Sequence, residues 1–364
     1  MGMGFRPDEG DKPEEVSKKF LDSLERLHPD RQGKIWTEIY EIDDLASERG
    51  CDYLLSRVRD LKLDVSQKQI DSLKNNYERS IFFYLNHPVL FEETAEEYLL
   101  DTLSGWRRFR VAKKDRTFFM KNLETFSVAV QEYYQKEYRG KHCKIEVYDK
   151  GNRMRFVAFV EDTYTNEMYF EKEGVINGKP TKRVLFAYFQ YRPDKGVLDV
   201  KAKGGKTKIN ALRRIFSRYL LAEAGEVEEV AYELAKFNNL QAMKFDIRPE
   251  DGIEKVQLKG LRLISGANKD KFTIDIGNSN GWGAEPILAV TQRLRLNLPD
   301  YLIHQAVIRF EFRKTGNGRR KKVTARITYP NCCDLKERDI DIKAQELLRR
   351  WGIDVFCTDE ETPR

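Results

Sequence analysis

The fold is decided by the stretch KRVLFAYFQYRPDKGVLDVKAKGG, residues 182–205. Its first part is apolar on both sides of an extended chain, with Val184, Phe186 and Tyr188 on one side and Leu185, Ala187 and Phe189 on the other. Strands that are apolar on both sides are usually buried on both faces of a sheet. We therefore predict a central strand, which the turn RPDKG at 192–196 joins to a second strand in a hairpin.

The same order of elements recurs along the chain. A hairpin followed by an amphipathic helix is predicted at about residues 182–222, 254–296 and 303–351, and a further hairpin surrounds the turn KGN at 150–152. The alternation slips at Gly260, which indicates a β-bulge there. Because hairpins build antiparallel sheets, the predicted fold class is α+β, with a repeated ββα pattern that follows an all-helical N-terminal domain.

Upstream of residue 141 the apolar spacing is helical. Pro13 stands where helices favour a proline in their first turn. Ser66 is placed to cap a helix whose inward face holds Ile70, Leu73 and Tyr77. The predicted domains are a disordered tail at 1–12, a helical domain at 13–140, an α+β domain at 141–237, a connector at 238–253 and an α+β domain at 254–364. The two α+β domains can also share one extended sheet.

Charge is distributed unevenly. The chain has 364 residues, with 65 Lys and Arg against 59 Asp and Glu, a net charge of +6. Residues 1–104 contain 14 basic and 23 acidic side chains, whereas the remainder contains 51 basic and 36 acidic ones. A basic region of this kind favours a polyanion such as nucleic acid as its partner. The acidic helical domain is then a candidate for contact with another protein or with a second copy of the chain.

The most basic segment is RKTGNGRRKK, residues 313–322, at the tip of the hairpin predicted at 303–329. In both flanking strands one side is apolar and the other carries arginines among threonines. Cations on the outer face of such a β-ribbon are placed to contact phosphates. The predicted nucleic-acid contacts are Arg309, Arg313, Lys314, Arg319, Arg320, Lys321, Lys322 and Arg326. The alternative is a solvated tip whose lysines prevent pairing with other strand edges.

A second basic loop, KAKGGKTK at 201–208, precedes a predicted helix. The free N–H groups and the dipole of a helix start favour anions. The candidate anion site consists of Lys201, Lys203, Lys206 and Lys208. The loop is not a P-loop, because Val200 stands where that motif requires its first glycine. A plain connection with solvated lysines explains the sequence equally well.

Asp199 and Lys201 are spaced to share one face of a strand. Metal-dependent nucleases of the restriction type use an acidic residue, one spacer and a lysine in this arrangement, with the carboxylate on Mg²⁺. Glu161 and Asp162 are candidates for a second carboxylate. The alternative function is therefore a Mg²⁺-dependent nuclease centred on Asp199 and Lys201, and a surface ion pair is the simpler explanation of the same residues.

The segment SGWRRFRVAKKDR at 104–116 interleaves aromatic and basic residues, a pattern that suits base stacking and phosphate contact. Its position between two predicted helices instead favours a helix junction in which Trp106 and Phe109 are buried and the cations are solvated.

Motifs of common enzymes are missing from the sequence. The five cysteines form no CxxC pair, and there is no HExxH, no GxSxG and no GxGxxG after a strand. We therefore predict no metal or cofactor, apart from Mg²⁺ in the nuclease alternative. The sequence contains neither an apolar run as long as a membrane span nor a signal-peptide pattern, so a cytoplasmic protein with reduced thiols is expected.

The predicted function is nucleic-acid binding, in a bacterial sensor or an accessory subunit of a multi-protein system. DNA or RNA is expected at the basic C-terminal regions, and a protein partner or a second copy at the helical domain. A protein–protein scaffold without nucleic-acid contact is the other alternative to the nuclease.

Overall fold

The structure is a computed structural model, which describes residues 6–8, 10–115, 117–149, 151–171, 174–223, 230–277, 281–313, 320–336 and 338–356. The chain forms two compact units, which divide between Leu103 and Ser104. This division comes earlier in the chain than the predicted boundary at residue 140. Half of the tail predicted to be disordered, residues 1–5 and 9, lies outside the described residues, while Asp8 and Asp11 accept hydrogen bonds from Lys19.

The described part of the first unit contains six helices. They are α1 (Pro13–Glu25), α2 (Pro29–Leu45), α3 (Glu48–Asp60), α4 (Gln67–Ser72), α5 (Asn76–Asn86) and α6 (Pro88–Thr102). Pro13 occupies the first turn of α1, as predicted. The long helix predicted after Ser66 is wrong, because α4 ends at Ser72 and a new helix begins. Asn75 caps that helix by accepting a hydrogen bond from the N–H of Glu78 at 2.9 Å.

These helices share a small apolar core. It contains Leu45, Leu54, Val58, Ile70, Phe83, Leu90 and Phe91. Ile70 is buried in this core as predicted, whereas Tyr77 is exposed. The break between α4 and α5 explains the difference, since it removes the common helical face on which both residues were expected.

The described residues of the second unit are built around one sheet of ten strands. The strands are β1 (Arg107–Arg110), β2 (Cys143–Asp149), β3 (Met154–Phe170), β4 (Ile176–Arg192), β5 (Val197–Ala202), β6 (Ile253–Ser265), β7 (Lys271–Asp275), β8 (Tyr301–Phe312), β9 (Lys322–Thr328) and β10 (Cys332–Cys333). The helices are α7 (Thr117–Met120), α8 (Leu123–Gln135), α9 (Gly205–Leu220), α10 (Glu285–Arg293) and α11 (Asp339–Arg350). Neighbouring strands are antiparallel, in the order β2-β3-β4-β5-β1-β10-β9-β8-β6-β7. The predicted α+β class is confirmed.

Strand β1 lies in the middle of this sheet, between β5 and β10. The prediction that residues 13–140 are all helical is therefore wrong at Arg107–Arg110. Four residues are too few to show a period of two, and the surrounding aromatic and basic residues suit a helix junction as well. Phe109 is buried, as expected, but in the core beneath the sheet. Because β1 joins the two predicted α+β regions, they form one sheet.

The two parts of the sheet are covered on opposite faces. We name strands β2–β5 the N-half and strands β6–β10 the C-half. Helices α8 and α9 cover the N-half on the face of Phe109, through an apolar cluster that includes Phe189 and Phe216. In β10, Cys332 pairs with Arg107 and so lies on that same face, while Cys333 points the other way into the core of the C-half. The cover of the C-half, which includes α11, therefore lies on the other face.

Strand β4 is internal, yet between Val184 and Tyr188 only one of its faces is buried. Phe189 on the helix side is 1% exposed, whereas Phe186 on the opposite side is 41% exposed. The prediction of burial on both faces is therefore wrong for Val184 and Phe186, whereas further along the strand Gln190 and Arg192, on the same side as Phe186, are buried. Both faces are apolar in sequence, but α8 and α9 pack on only one of them.

The structure does not confirm a repeated ββα unit, since α9 and α11 lie on opposite faces and β1 is inserted between the two regions. The predicted bulge is confirmed, because the pairing of β6 with β8 shifts between Leu258 and Gly260.

Candidate nucleic-acid interface

The hairpin of β8 and β9 has the two-faced pattern that its sequence predicts. Ile308 pairs with Ala325, and both are buried in the core of the C-half. Arg309 pairs with Thr324 on the uncovered face, where Arg326 is exposed. The hairpin therefore presents cations and hydroxyl groups on the side that its core leaves open.

A row of polar side chains extends this uncovered face across the sheet. Residues that pair directly in antiparallel strands point to the same face. Following the pairs from β1 to β7 gives Arg107, Cys332, Thr328, Gln305, Arg262 and Thr273. We name these six residues the polar row. An arginine stands at or near each end of it, and the side chains between them are uncharged.

Further cations lie beside the polar row on the same face. Lys271 is two residues from Thr273 along β7, and Arg309 and Arg326 lie on β8 and β9. We name this surface, consisting of Arg107, Arg262, Lys271, Arg309 and Arg326, the open basic face. Within the described strands, two acidic residues, Asp275 and Glu311, point to this same face.

His304 lies close enough to three cations of this surface for them to shift its pKa. It is the extra residue of a second bulge, where Gln305 pairs with Arg262 and Ile303 pairs with Leu263. Its pKa is lowered by burial first and then by the positive charges of Arg262, Lys271 and Arg107. The named charges that shift this imidazole are all cations, so the surface around it is electropositive.

Some of the predicted phosphate contacts are engaged with carboxylates of the chain itself. Glu311 is buried and pairs with Arg309, and its Oε1 lies 3.3 Å from Lys322 Nζ. Arg320 Nη2 lies 3.2 Å from Glu254 Oε1. Arg309, Lys322 and Arg320 must therefore leave or share these carboxylates to meet a phosphate.

The other predicted contacts fall into two groups. Arg313, Lys321 and Arg326 are exposed, and the N–H of Arg313 donates to the carbonyl of Gly252 at 2.9 Å. Lys314 and Arg319 lie outside the described residues.

The candidate anion site at the start of α9 is not assembled as predicted. Lys208 is buried, and its Nζ lies 2.6 Å from Glu137 Oε2 and 4.9 Å from the centre of the Tyr134 ring. Lys203 and Lys206 are exposed. The carboxylate of Glu137, distant in sequence, neutralises the lysine that the site most needs, so we discard the four-lysine arrangement.

The nuclease alternative fails at its central residue. Asp199 and Lys201 share a strand face as predicted, opposite Gln190 and Tyr188. However, Asp199 is buried and accepts hydrogen bonds from Arg108 Nε at 2.8 Å and Arg192 Nη1 at 2.7 Å.

The electrostatics of this cluster agree with a carboxylate of Asp199 that is ion-paired with two arginines and not free to bind a metal ion. Burial by itself raises the pKa of the carboxyl group, but the two guanidinium groups of Arg108 and Arg192 outweigh it and bring the pKa to about 2. Of the proposed second carboxylates, Glu161 is paired with Lys182. Among the described residues no group of three or more His, Cys, Asp or Glu could hold a metal ion.

Sequence reasoning missed Arg107, Arg262 and Lys271 as parts of the interface. Of the three, only Arg262 stands between apolar residues, in GLRLIS, which is the pattern of a cation on the outer face, whereas Arg107 is followed by Arg108 and Lys271 is preceded by Asp270. The pattern gives the face within one strand only. Which strands adjoin follows from the sheet order, where β1 and β10 bring Arg107 beside the C-half.

The helical unit is acidic at α2 and α6. The pKa of Glu41 is raised by burial and then by the carboxylates of Glu92, Glu38, Glu96 and Asp44. Such crowding of negative charge disfavours a polyanion at this surface.

No protein-family model matches the chain, and no curated protein matches it. Among the described helices, none is long and apolar enough to cross a membrane. The cysteines at positions 51, 143, 332 and 333 are free thiols.

Proposed function

We propose that the protein binds nucleic acid through the open basic face. The polar row carries the proposal, because it sets the half-buried Arg107 and the exposed Arg262 on the same face of the sheet, which is the face that the C-half leaves uncovered. Four strand spacings of about 4.8 Å separate these residues, so they lie about 19 Å apart. That span covers about five phosphates of one strand at a rise of about 3.4 Å.

The groups between the arginines also suit this ligand. Thr328, Thr324 and Gln305 offer hydroxyl and amide donors, which supply many of the contacts to phosphates and sugars. Gln305 Nε2 donates to Thr328 Oγ1 at 2.8 Å, which fixes the orientation of both side chains. A fixed array of donors and cations favours a regular polyanion over the irregular charge pattern of a protein surface.

The acidic helical unit is proposed to serve a different partner. Its crowded carboxylates repel phosphates, so we assign nucleic acid to the second unit and a protein contact to the first.

A salt titration tests the proposal. Binding of fluorescent duplex DNA, single-stranded DNA and RNA is measured by anisotropy at several salt concentrations, for the wild type and for the double variant Arg262→Gln, Arg326→Gln. If both arginines meet phosphates, the slope of log K against log salt falls by about 1.8 for duplex DNA or about 1.4 for single strands.

A matched control removes two exposed cations from helices on the covered side of the C-half. The variant Arg293→Gln, Lys343→Gln loses the same charge from α10 and α11, and its slope is expected to match the wild type. Equal slopes for all three proteins, or no binding by the wild type at low salt, would contradict the proposal.

A further inference from the structure

A two-stranded arm extends from the N-half. Strands β3 and β4 each contain 17 residues. The neighbouring strand β2 pairs with β3 only as far as Val160, and β5 pairs with β4 only as far as Ala187. Beyond those points β3 and β4 pair only with each other, over Tyr164–Phe170 and Ile176–Lys182. We name this segment the β-arm.

The β-arm is amphipathic. Cross-strand pairs place five apolar residues on one face together with Asn166, Gly178 and Lys182, namely Tyr164, Met168, Phe170, Ile176 and Pro180. The other face is polar except for one aromatic ring and carries Thr165, Glu167, Tyr169, Asn177, Lys179 and Thr181. The apolar face is open: Tyr164 is 67%, Met168 67%, Phe170 74% and Ile176 54% exposed. Large apolar side chains therefore occupy the face of the arm that water contacts.

This apolar face continues onto the body of the sheet. Along β4, Ile176 and Pro180 share their side with Val184, Phe186 and Tyr188, the face that α8 and α9 leave uncovered. The Phe186 ring lies 5.4 Å from that of Phe159 and 5.7 Å from that of Tyr188. We name the surface from Tyr188 to Phe170, which the ion pair of Lys182 with Glu161 crosses, the apolar stripe.

Such a stripe is unfavourable when it faces water. An isolated two-stranded ribbon is at best marginally stable and needs its apolar face covered. The exposed apolar side chains of the stripe present on the order of 600 Å², which is at the upper end for the largest patch of a monomer. It also approaches the roughly 800 Å² that each partner buries in a standard interface.

The charges beside the stripe indicate what kind of partner covers it. Lys182 pairs with Glu161, and Lys144 Nζ lies 2.7 Å from Glu146 Oε1. On the polar face of the arm, Arg183 pairs with Glu167 at 2.6 Å. The surface is apolar and locally neutral, so it does not select a polyanion or a strongly charged protein.

We propose that a second copy of this chain covers the apolar stripe. In a two-fold dimer the same patch meets itself, which a neutral apolar surface permits without opposing like charges. Two β-arms would pack with their apolar faces together, as two sheets do at a separation of about 10 Å. The dimer uses a different face from the open basic face and does not depend on nucleic-acid binding.

Sedimentation velocity of the full chain, without nucleic acid and at about 0.5 to 50 μM, tests the dimer. The wild type is expected at twice the chain mass of 42.8 kDa. The variant Met168→Glu, Phe170→Glu places two charges in the interface, and its dimer dissociation constant is expected to rise at least about 100-fold. Circular dichroism and urea unfolding check that the variant is folded.

Two further variants keep the outcome decisive. Thr165→Glu, Asn177→Glu adds the same charge to the polar face of the arm and is expected to leave the dimer unchanged. Met168→Ser, Phe170→Ser removes apolar surface without charge and is expected to weaken the dimer to a lesser extent. A monomeric wild type at all concentrations, or equal effects of the apolar-face and polar-face substitutions, would overturn the proposal. So would a variant of the apolar face that loses nucleic-acid binding while its mass stays unchanged.

Discussion

In the N-half of the sheet, helices α8 and α9 cover one face and leave Phe159, Phe186 and Tyr188 on the other. In the C-half the cover lies on the opposite side, and the uncovered face carries Arg262 and Arg326. Both halves belong to one antiparallel sheet, and each has a face that is open away from β1, although next to β1 the second face of the N-half is also buried, at Asp199 and Gln190. The exposed side chains of the two open faces nevertheless differ in chemistry: those of the N-half are mainly apolar and those of the C-half are mainly cationic.

This difference teaches that an uncovered sheet face is informative about its partner. The solvent side of an antiparallel sheet is normally mixed and polar. A face that is apolar although nothing covers it, or that carries many cations and few acidic residues, departs from that normal composition. The kind of departure indicates the kind of partner that the face suits. The two open faces are therefore proposed to meet two different partners, a second chain for the N-half and a polyanion for the C-half.

The largest expected effect contrasts the two faces of β4 with the same residue type. Phe189→Ala removes a buried ring from the core beneath the N-half and is expected to lower the free energy of unfolding by about 3–5 kcal/mol. Phe186→Ala, on the open face, is expected to cost less than about 1 kcal/mol. Urea unfolding at submicromolar protein measures both. Equal losses would show that the open face is as well packed as the covered one.

A second prediction concerns the boundary between the halves, where Arg108, Arg192 and Asp199 form a buried cluster. The pKa of Asp199 is about 2 in the folded protein, below its ordinary value of 3.8. Because the folded pKa is the lower one, the carboxylate stabilises the fold above about pH 4. This contribution, about 2 kcal/mol, is lost as the pH falls from about 4 towards 2.

Urea unfolding between pH 5 and pH 3 measures this dependence against Asp199→Asn. The variant is expected to be less stable than the wild type at pH 5 and to show a weaker loss on acidification. Asp275→Asn changes an exposed carboxylate of β7 and serves as control. A wild type and an Asp199→Asn protein with the same pH dependence would contradict the assignment.

The smallest expected effect is a proton linkage at the open basic face. Burial first and then nearby cations lower the pKa of His304, so a bound phosphate that offsets those cations raises the pKa again. Binding then takes up a proton, and affinity for DNA rises by about threefold per pH unit as the pH falls from 7 to 5.5.

Anisotropy titrations at several pH values measure this linkage, and His304→Gln is expected to flatten the dependence. The control is His28→Gln, since His28 lies on the helical unit and is exposed. An unchanged pH dependence in His304→Gln would show that this imidazole does not sense the ligand. The folding stability of the free protein has the opposite pH dependence to the affinity for DNA. Because the pKa of His304 is lowered in the folded state, its contribution to stability is present above about pH 6.5 and is lost as the pH falls.

The sequence was sufficient for features that depend on local spacing. The hairpin of β8 and β9, the helix after Gly205 and the bulge at Gly260 follow from alternation, glycine and turn residues. The sequence was not sufficient for features that depend on residues far away in the chain, such as which face of a strand is buried. Phe186 and Phe189 are equivalent in a strand pattern, and only the position of α9 decides which one is buried.

The candidate site shows the same limit. Lys208 looked like an anion ligand because it starts a helix, yet Glu137, 71 residues away, neutralises it. Asp199 looked like a metal ligand because of its spacing from Lys201, yet Arg108, 91 residues away, holds its carboxylate. Arg107 belongs to the candidate interface because β1 lies in the centre of the sheet, a position that the four residues of this strand do not specify.

The place of β1 also has a consequence for how the protein is made. It leaves the ribosome before every other strand of its sheet, but Asp199 lies 91 residues further on and Asn331 lies 223 residues further on. During synthesis its second edge stays unpaired until almost the whole chain has emerged, and unpaired edges attract other strands. A fragment that stops after β5 would keep that edge permanently open, so the N-half is expected to aggregate when expressed alone.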